Sequence, residues 1–137
     1  MTCKKFDPIR NKSAEIIEFI MSAPEIPADD MLEFKIRLSV EEVVENVVRY
    51  AYEDGAGEME VSVNTEDNNP MLTITVVDQG VPFNPLDKPD PDITLSAEER
   101  QIGGLGIFLC KKMMDEVTYH YEGSSNILTM KKKVIAE

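Results

Sequence analysis

The chain has no run of eighteen or more apolar residues, so no helix that crosses a membrane is expected. Its opening stretch, MTCKKFDPIRNK, lacks the apolar segment of a secretory signal. Cysteine is scarce. Cys3 lies in that opening stretch and Cys110 in an apolar helical pattern, which suits neither a disulfide framework nor a metal site. These absences together fit a reducing cytoplasm. Histidine is scarcer: His120 stands alone in the alternating stretch VTYHYEG and reads as a surface strand residue rather than a phospho-acceptor. Positive charge is short too, with 14 Lys and Arg against 26 Asp and Glu and a net charge of −12. That balance argues against nucleic acid and anionic membranes as partners; it more commonly just keeps a chain soluble, and it also suits a basic protein partner. There is no internal repeat.

What is present is a globular composition, 137 residues with 42% hydrophobic, enough for one domain spanning 1–137 with a real core. SAEIIEFIM, from Ser13 to Met21, reads as a first helix with Ser13 as its cap, ended by Pro24 and Pro27. Asp29 and Asp30 suit the start of a second helix running to about Tyr52, stopped by Gly55 and Gly57. EMEVSVNT alternates as a strand, DNNP is a turn, and MLTITVVD from Met71 to Asp78 is a second, more buried strand, so the pair forms a hairpin. A long stretch rich in Pro, Asp and Gly follows, Gln79 to Gly104; loops of this length are often lids, and Ser96 with Glu99 makes a capping box within it. A third helix runs from about Leu105 to Asp115, with Met113 and Met114 as core packing. Two last strands flank a Gly123–Ser124–Ser125 turn. The order implies a two-layer α/β sandwich, helices on one face of a mixed, largely antiparallel sheet.

Three short motifs carry chemistry. In SVEEVVENVVRYAYEDG, Val40, Val43, Val44, Val47, Val48 and Ala51 form an apolar stripe, while Glu42 and Asn46 share another face one turn apart. Such a face is usually just solvated. A carboxylate and an amide oxygen so placed can also serve a proton transfer and a metal ion at adjacent points. In VVDQGVPF, Asp78 leaves the end of an apolar strand and Gly80 follows. Asp78 either caps a turn or sits at the floor of a pocket, accepting from an exocyclic amine, with Gly80 letting the backbone approach a ligand. In IGGLGIFL, Gly103, Gly104 and Gly106 open a helix, as a hinge or as an uncrowded set of N–H groups for an anion. A phosphate ligand on so acidic a chain needs a local positive source, and a metal with helix amides would supply one.

In this order the motifs resemble the GHKL ATPase superfamily, which includes gyrase and the histidine kinases. Glu42-Val-Val-Glu-Asn46 is similar to its N box, Asp78-Gln-Gly80 to its first glycine box, and Gly103-Gly-Leu-Gly106 to its second. LSVEEVVENVVRYAYED, DQGVPFNP and GGLGIFLCKKMMDEV look most like the anti-sigma-factor serine/threonine kinases of the RsbW and SpoIIAB type, over about Ser13 to Val134. The resemblance implies a Bergerat-type ATP-binding sandwich with an ATP lid at about 84–102. It implies Glu42 as general base toward a substrate serine, Asn46 on Mg²⁺ bridging the ATP phosphates, Asp78 on the adenine amine and Gly80 beside the ring. It further implies Gly103, Gly104, Leu105 and Gly106 on phosphate, Thr129 near the adenine side, and Arg100 as the nearest candidate for a lid arginine. Tyr50 stands where relatives often have histidine. Arg49 can reach phosphate or pair with Glu45. The family's first strand is not obvious in CKKFDPI.

The function implied is a cytoplasmic, ATP-dependent protein-serine kinase that phosphorylates a STAS-type anti-anti-sigma protein and holds off a sigma factor. A homodimer is one assembly the family offers. The alternatives are a nucleotide-dependent partner-switching module without kinase activity, a detached histidine-kinase-like catalytic domain, and an interaction protein whose pocket is dead.

Overall fold

A computed structural model describes residues 1–52, 57–66, 69–87 and 104–134. Its elements follow in the order β1 (Thr2–Phe6), α1 (Ser13–Met21), α2 (Asp30–Tyr50), β2 (Met59–Glu66), β3 (Asn69–Asp78), α3 (Gly104–Met113), β4 (Glu116–Glu122) and β5 (Ser125–Lys133). A 3₁₀ turn, Pro85–Asp87, follows β3. The strands form one sheet in the order β1-β2-β3-β5-β4, and all four pairings are antiparallel rather than mixed.

Alternation explains the two layers. Met59, Val61 and Val63 of β2, Leu72, Ile74 and Val76 of β3, and Leu128 and Met130 of β5 are buried in one core with Ile16 and Ile20 of α1 and Ile36, Val40, Val43 and Val44 of α2. Each such side chain contributes about 1.5–3 kcal/mol by leaving water. The intervening positions, such as Glu60, Ser62, Thr73 and Thr75, belong to the other, polar face, which water can cover. α2 begins as its sequence suggests: the Asp29 side chain accepts from Leu32 N at 2.9 Å.

Several local expectations are corrected. A first strand does exist: β1 pairs with β2 in the register Phe6↔Met59 and stops before Pro8. Only Phe6 of its five residues is buried, so no apolar alternation announces it. Ser13 is the first helical residue and not the cap. The helix bonds begin one residue earlier, Ile16 N donating to Lys12 O at 2.9 Å, and no side chain caps that end. β3 starts at Asn69, inside the expected turn, and α2 ends at Tyr50 with Ala51 as its cap. Gly123 and Ser124, both at positive φ (58° and 64°), make the tight β4–β5 turn that the sequence marks. The capping box at Ser96 and Glu99 lies outside the described residues.

Candidate functional site

A cleft opens where the C-terminal half of α2 meets the ends of β3 and β5. It holds roughly 470 Å³, part of it open to solvent. Val43, Val47, Val76, Ile107 and Leu128 make an apolar interior, and Tyr50, Val81, Phe83, Pro85 and Tyr119 surround it. Two polar side chains from the sequence motifs reach it, Asn46 from α2 and Asp78 from β3, with Asn126 of β5 beside them.

Asp78 is 6% exposed and opposite Asn126 in the β3–β5 register. Both of its resolved hydrogen bonds fall on one oxygen. Asn126 Nδ2 and Gly80 N each donate to Oδ1 at 2.9 Å, and among the described residues no donor reaches Oδ2. Burial pushes the carboxyl above its ordinary value of 3.8, against the opposing pull of the Asn126 and Gly80 hydrogen bonds. An apolar cleft with one buried, half-satisfied acceptor is suited to an aromatic ring that carries an amine.

The segment after Asp78 is held from two sides. Val81 N donates to Ala51 O at 3.1 Å, and Gly80 sits so close to α2 that a Cβ there would lie 1.9 Å from the same carbonyl oxygen. Tyr52 ties the same region: its hydroxyl donates to Glu58 O at 2.7 Å and accepts from Gln79 N at 2.8 Å. Asn126 Oδ1 accepts from Phe83 N at 3.1 Å and from the Tyr119 hydroxyl. Sequence reasoning missed both Asn126 and Tyr52. An asparagine just past a Gly-Ser-Ser turn passes for a turn residue, and only the β3–β5 register sets it against Asp78. The Tyr52 hydroxyl had no local signal.

The other expected residues are placed as follows. Glu42, half-buried, stands one turn before Asn46 but is not among the residues lining the cleft. Burial, with the Glu42 charge added, pushes the Cys110 thiol on α3 up to about 12, and Cys110 Sγ donates to Ser39 O of α2 at 3.5 Å. Gly80 packs on Ala51 and does not line the cleft. Gly104, Leu105 and Gly106 form the first turn of α3, directly before the cleft residue Ile107. Arg100 and Gly103 lie outside the described residues. Thr129 is corrected: it pairs with Thr75 and Thr118, between the buried Leu128 and Met130, so its side chain belongs to the outer face of the sheet. Arg49 pairs with Glu45 at 3.7 Å, and Tyr50 packs against Phe83 with ring centroids 6.3 Å apart. His120 is exposed, 3.8 Å from Glu122, and Met114 is buried in the core.

This arrangement can be set beside known proteins. The family described as "Histidine kinase-like ATPase domain" matches residues 11–132. The chain belongs to this family. A serine-protein kinase RsbW of Bacillus cereus is 34% identical over 106 residues, covering 74% of this chain, and RsbW of Bacillus anthracis matches to the same extent. The chain spans 64% of the length of these relatives. The RsbU and RsbW domains of a Mycobacterium tuberculosis protein superpose with a TM-score of 0.57 at 15% identity, over 97% of this chain and 32% of that one. A histidine kinase domain from a blue-light activated kinase of Erythrobacter litoralis gives 0.55 at 18% identity, over 88% and 57%. Both structures share the fold.

For a histidine kinase-like ATPase domain the cleft is chemically apt. Its walls are apolar, Asp78 offers an acceptor, and the first turn of α3 adjoins it. Among the described residues no group of three or more His, Cys, Asp or Glu could hold a metal. Besides Asp78, Asn46 is a motif side chain at the cleft that offers an oxygen. Magnesium commonly needs only one or two protein ligands besides phosphate oxygens. Among the described residues no helix is long and apolar enough to cross a membrane.

Proposed function

We propose that residues 1–137 form one ATP-binding domain, with its lid at about 84–102, and that it is a protein-serine kinase and anti-sigma factor. It phosphorylates a STAS-type anti-anti-sigma protein, sequesters a sigma factor and works in the cytoplasm. The observation that carries this reading is Asp78: a buried carboxylate with one oxygen taken by Asn126 and Gly80 and the other left for a ligand. Adenine offers an exocyclic amine to such an oxygen; a ring with a carbonyl at that place would be repelled.

Asn46 would hold Mg²⁺ together with the phosphates, and that ion supplies charge neutralisation for phosphoryl transfer. The backbone amides of Gly103, Gly104, Leu105 and Gly106 would add phosphate contacts, and Arg100 is the cation nearest to them in sequence. Glu42 would orient a serine hydroxyl and take its proton. Binding nucleotide needs no base, so Glu42 favours a kinase over a module that only switches partners. The 34% identity to RsbW supports the same side.

The test is transfer of labelled γ-phosphate from Mg-ATP to a STAS-type protein, followed by phosphoamino-acid analysis. Phosphoserine is expected, lost in Glu42→Gln while ATP still binds. Label on histidine would favour the histidine-kinase-like alternative. Bound ATP with no transfer would favour the partner-switching module.

A further inference from the structure

Asn126 has no part in the sequence motifs, yet it is the most heavily bonded side chain at the cleft. It is 6% exposed. Its Nδ2 donates to Asp78 Oδ1 at 2.9 Å and to Val81 O at 2.9 Å, with Gly80 O at 3.4 Å, while its Oδ1 accepts from Phe83 N and from the Tyr119 hydroxyl. An amide has two donor hydrogens and two acceptor sites, so the group is fully used. These bonds join three pieces: the end of β3, the 80–83 wall of the cleft, and β4. The bond from Nδ2 also selects which Asp78 oxygen is occupied.

We infer that Asn126 is the positioning residue of this cleft, fixing the Asp78 carboxylate with one oxygen free for the ligand and tying the Val81–Phe83 wall to the same point. The inference rests on the nucleotide reading of the cleft for its ligand but not for its geometry. The free Asp78 oxygen then depends on one amide, which also shares the wall with the bond from Val81 N to Ala51 O. A side chain at 126 that cannot donate leaves Asp78 with Gly80 N alone and leaves the wall to its bond from Val81 N to Ala51 O.

The experiment compares the intact chain with Asn126→Ala, Asn126→Asp and Tyr119→Phe by two readouts. The first is the titration of the Asp78 carboxyl by carbon NMR without nucleotide. Losing a donor raises it in Asn126→Ala relative to wild type. Among the described residues the other titratable groups around Asp78 are Tyr50, Tyr52, Glu58, Glu60, Lys5 and Tyr119. Asn126→Ala and Asn126→Asp leave all six in place. The second readout is Mg-ATP affinity against pH. Asn126→Ala weakens it by about tenfold or more at every pH. Asn126→Asp sets two carboxylates against each other, so they share a proton: binding is weak at about pH 8 and recovers toward about pH 5.5 as the proton restores a donor. Tyr119→Phe gives a smaller loss in the same direction. An unshifted Asp78 titration in Asn126→Ala, or wild-type affinity of Asn126→Asp at about pH 8, overturns the inference. If wild type binds no nucleotide, the nucleotide reading fails and the Asp78 titration still judges Asn126.

Discussion

Replacing Gly80 by alanine tests how the cleft wall is seated. The new Cβ would lie 1.9 Å from Ala51 O, 2.5 Å from its carbonyl carbon and 2.8 Å from its Cα, all backbone atoms that cannot rotate away. Ordinary contact begins at 3.4 Å, so the 80–83 segment and the end of α2 must separate by about 1.5 Å. That breaks the 3.1 Å bond from Val81 N to Ala51 O and strains the 2.9 Å bond from Gly80 N to Asp78. Overpacking costs about 1–3 kcal/mol and a lost hydrogen bond about 1 kcal/mol, so Gly80→Ala should destabilise by roughly 2–4 kcal/mol. For a chain of this length that lowers Tm by roughly 10 °C. Gly123→Ala is the control: nothing lies within 4 Å of its Cβ, and the cost is only that of φ +58°, about 1 kcal/mol. Circular dichroism melts and urea titrations measure both. If Gly80→Ala is no less stable than Gly123→Ala, the reasoning fails.

Other outcomes follow from the same geometry. The Asp78 carboxyl is held above 3.8 by burial, so its contribution to stability is full below the unfolded value and is lost as pH rises through the folded value. Asparagine has no such loss, so Asp78→Asn should gain on wild type in urea titrations as pH rises from about 3 to 7. Tyr52→Phe strands Gln79 N and Glu58 O and should cost about 1–3 kcal/mol in the same assay; an unchanged midpoint would show that water replaces the hydroxyl. Cys3 is exposed, while Cys110 is buried with its thiol pushed up to about 12. A disulfide-forming reagent at about pH 8 should therefore modify one thiol at once and the second only on unfolding.

The helices and the inner strands were legible because their apolar periods are clean: Val40, Val43 and Val44 repeat at helical spacing, and Met59, Val61 and Val63 alternate. β1 was not, because an edge strand with Lys4 and Lys5 outside the core and only Phe6 inside shows no alternation. Thr129 was expected from the resemblance alone, and the alternation of β5 sets it on the face opposite Leu128 and Met130; in a strand, a shift of one residue moves a side chain to the opposite face. Asp78 was legible as a buried strand-end carboxylate, but its partner was not, since Asn126 meets it through a register set 48 residues away. Gly80 was legible as a close backbone approach. The approach is to Ala51, which a sequence cannot foresee because it depends on where α2 ends.

The central claim is that this cleft takes an adenine nucleotide through Asp78, and a calorimetric titration with Mg-ATP tests it most directly. In Asp78→Asn the two donors to Oδ1 will hold the amide oxygen, which puts the NH₂ where Oδ2 was, facing the adenine amine. Losing a charged acceptor and meeting a donor should cost about 3 kcal/mol or more, roughly 100-fold in affinity. Wild type should bind Mg-ATP, and Asp78→Asn should bind at least that much more weakly while melting no lower. Absence of binding by wild type, or equal affinity of Asp78→Asn, would contradict the account.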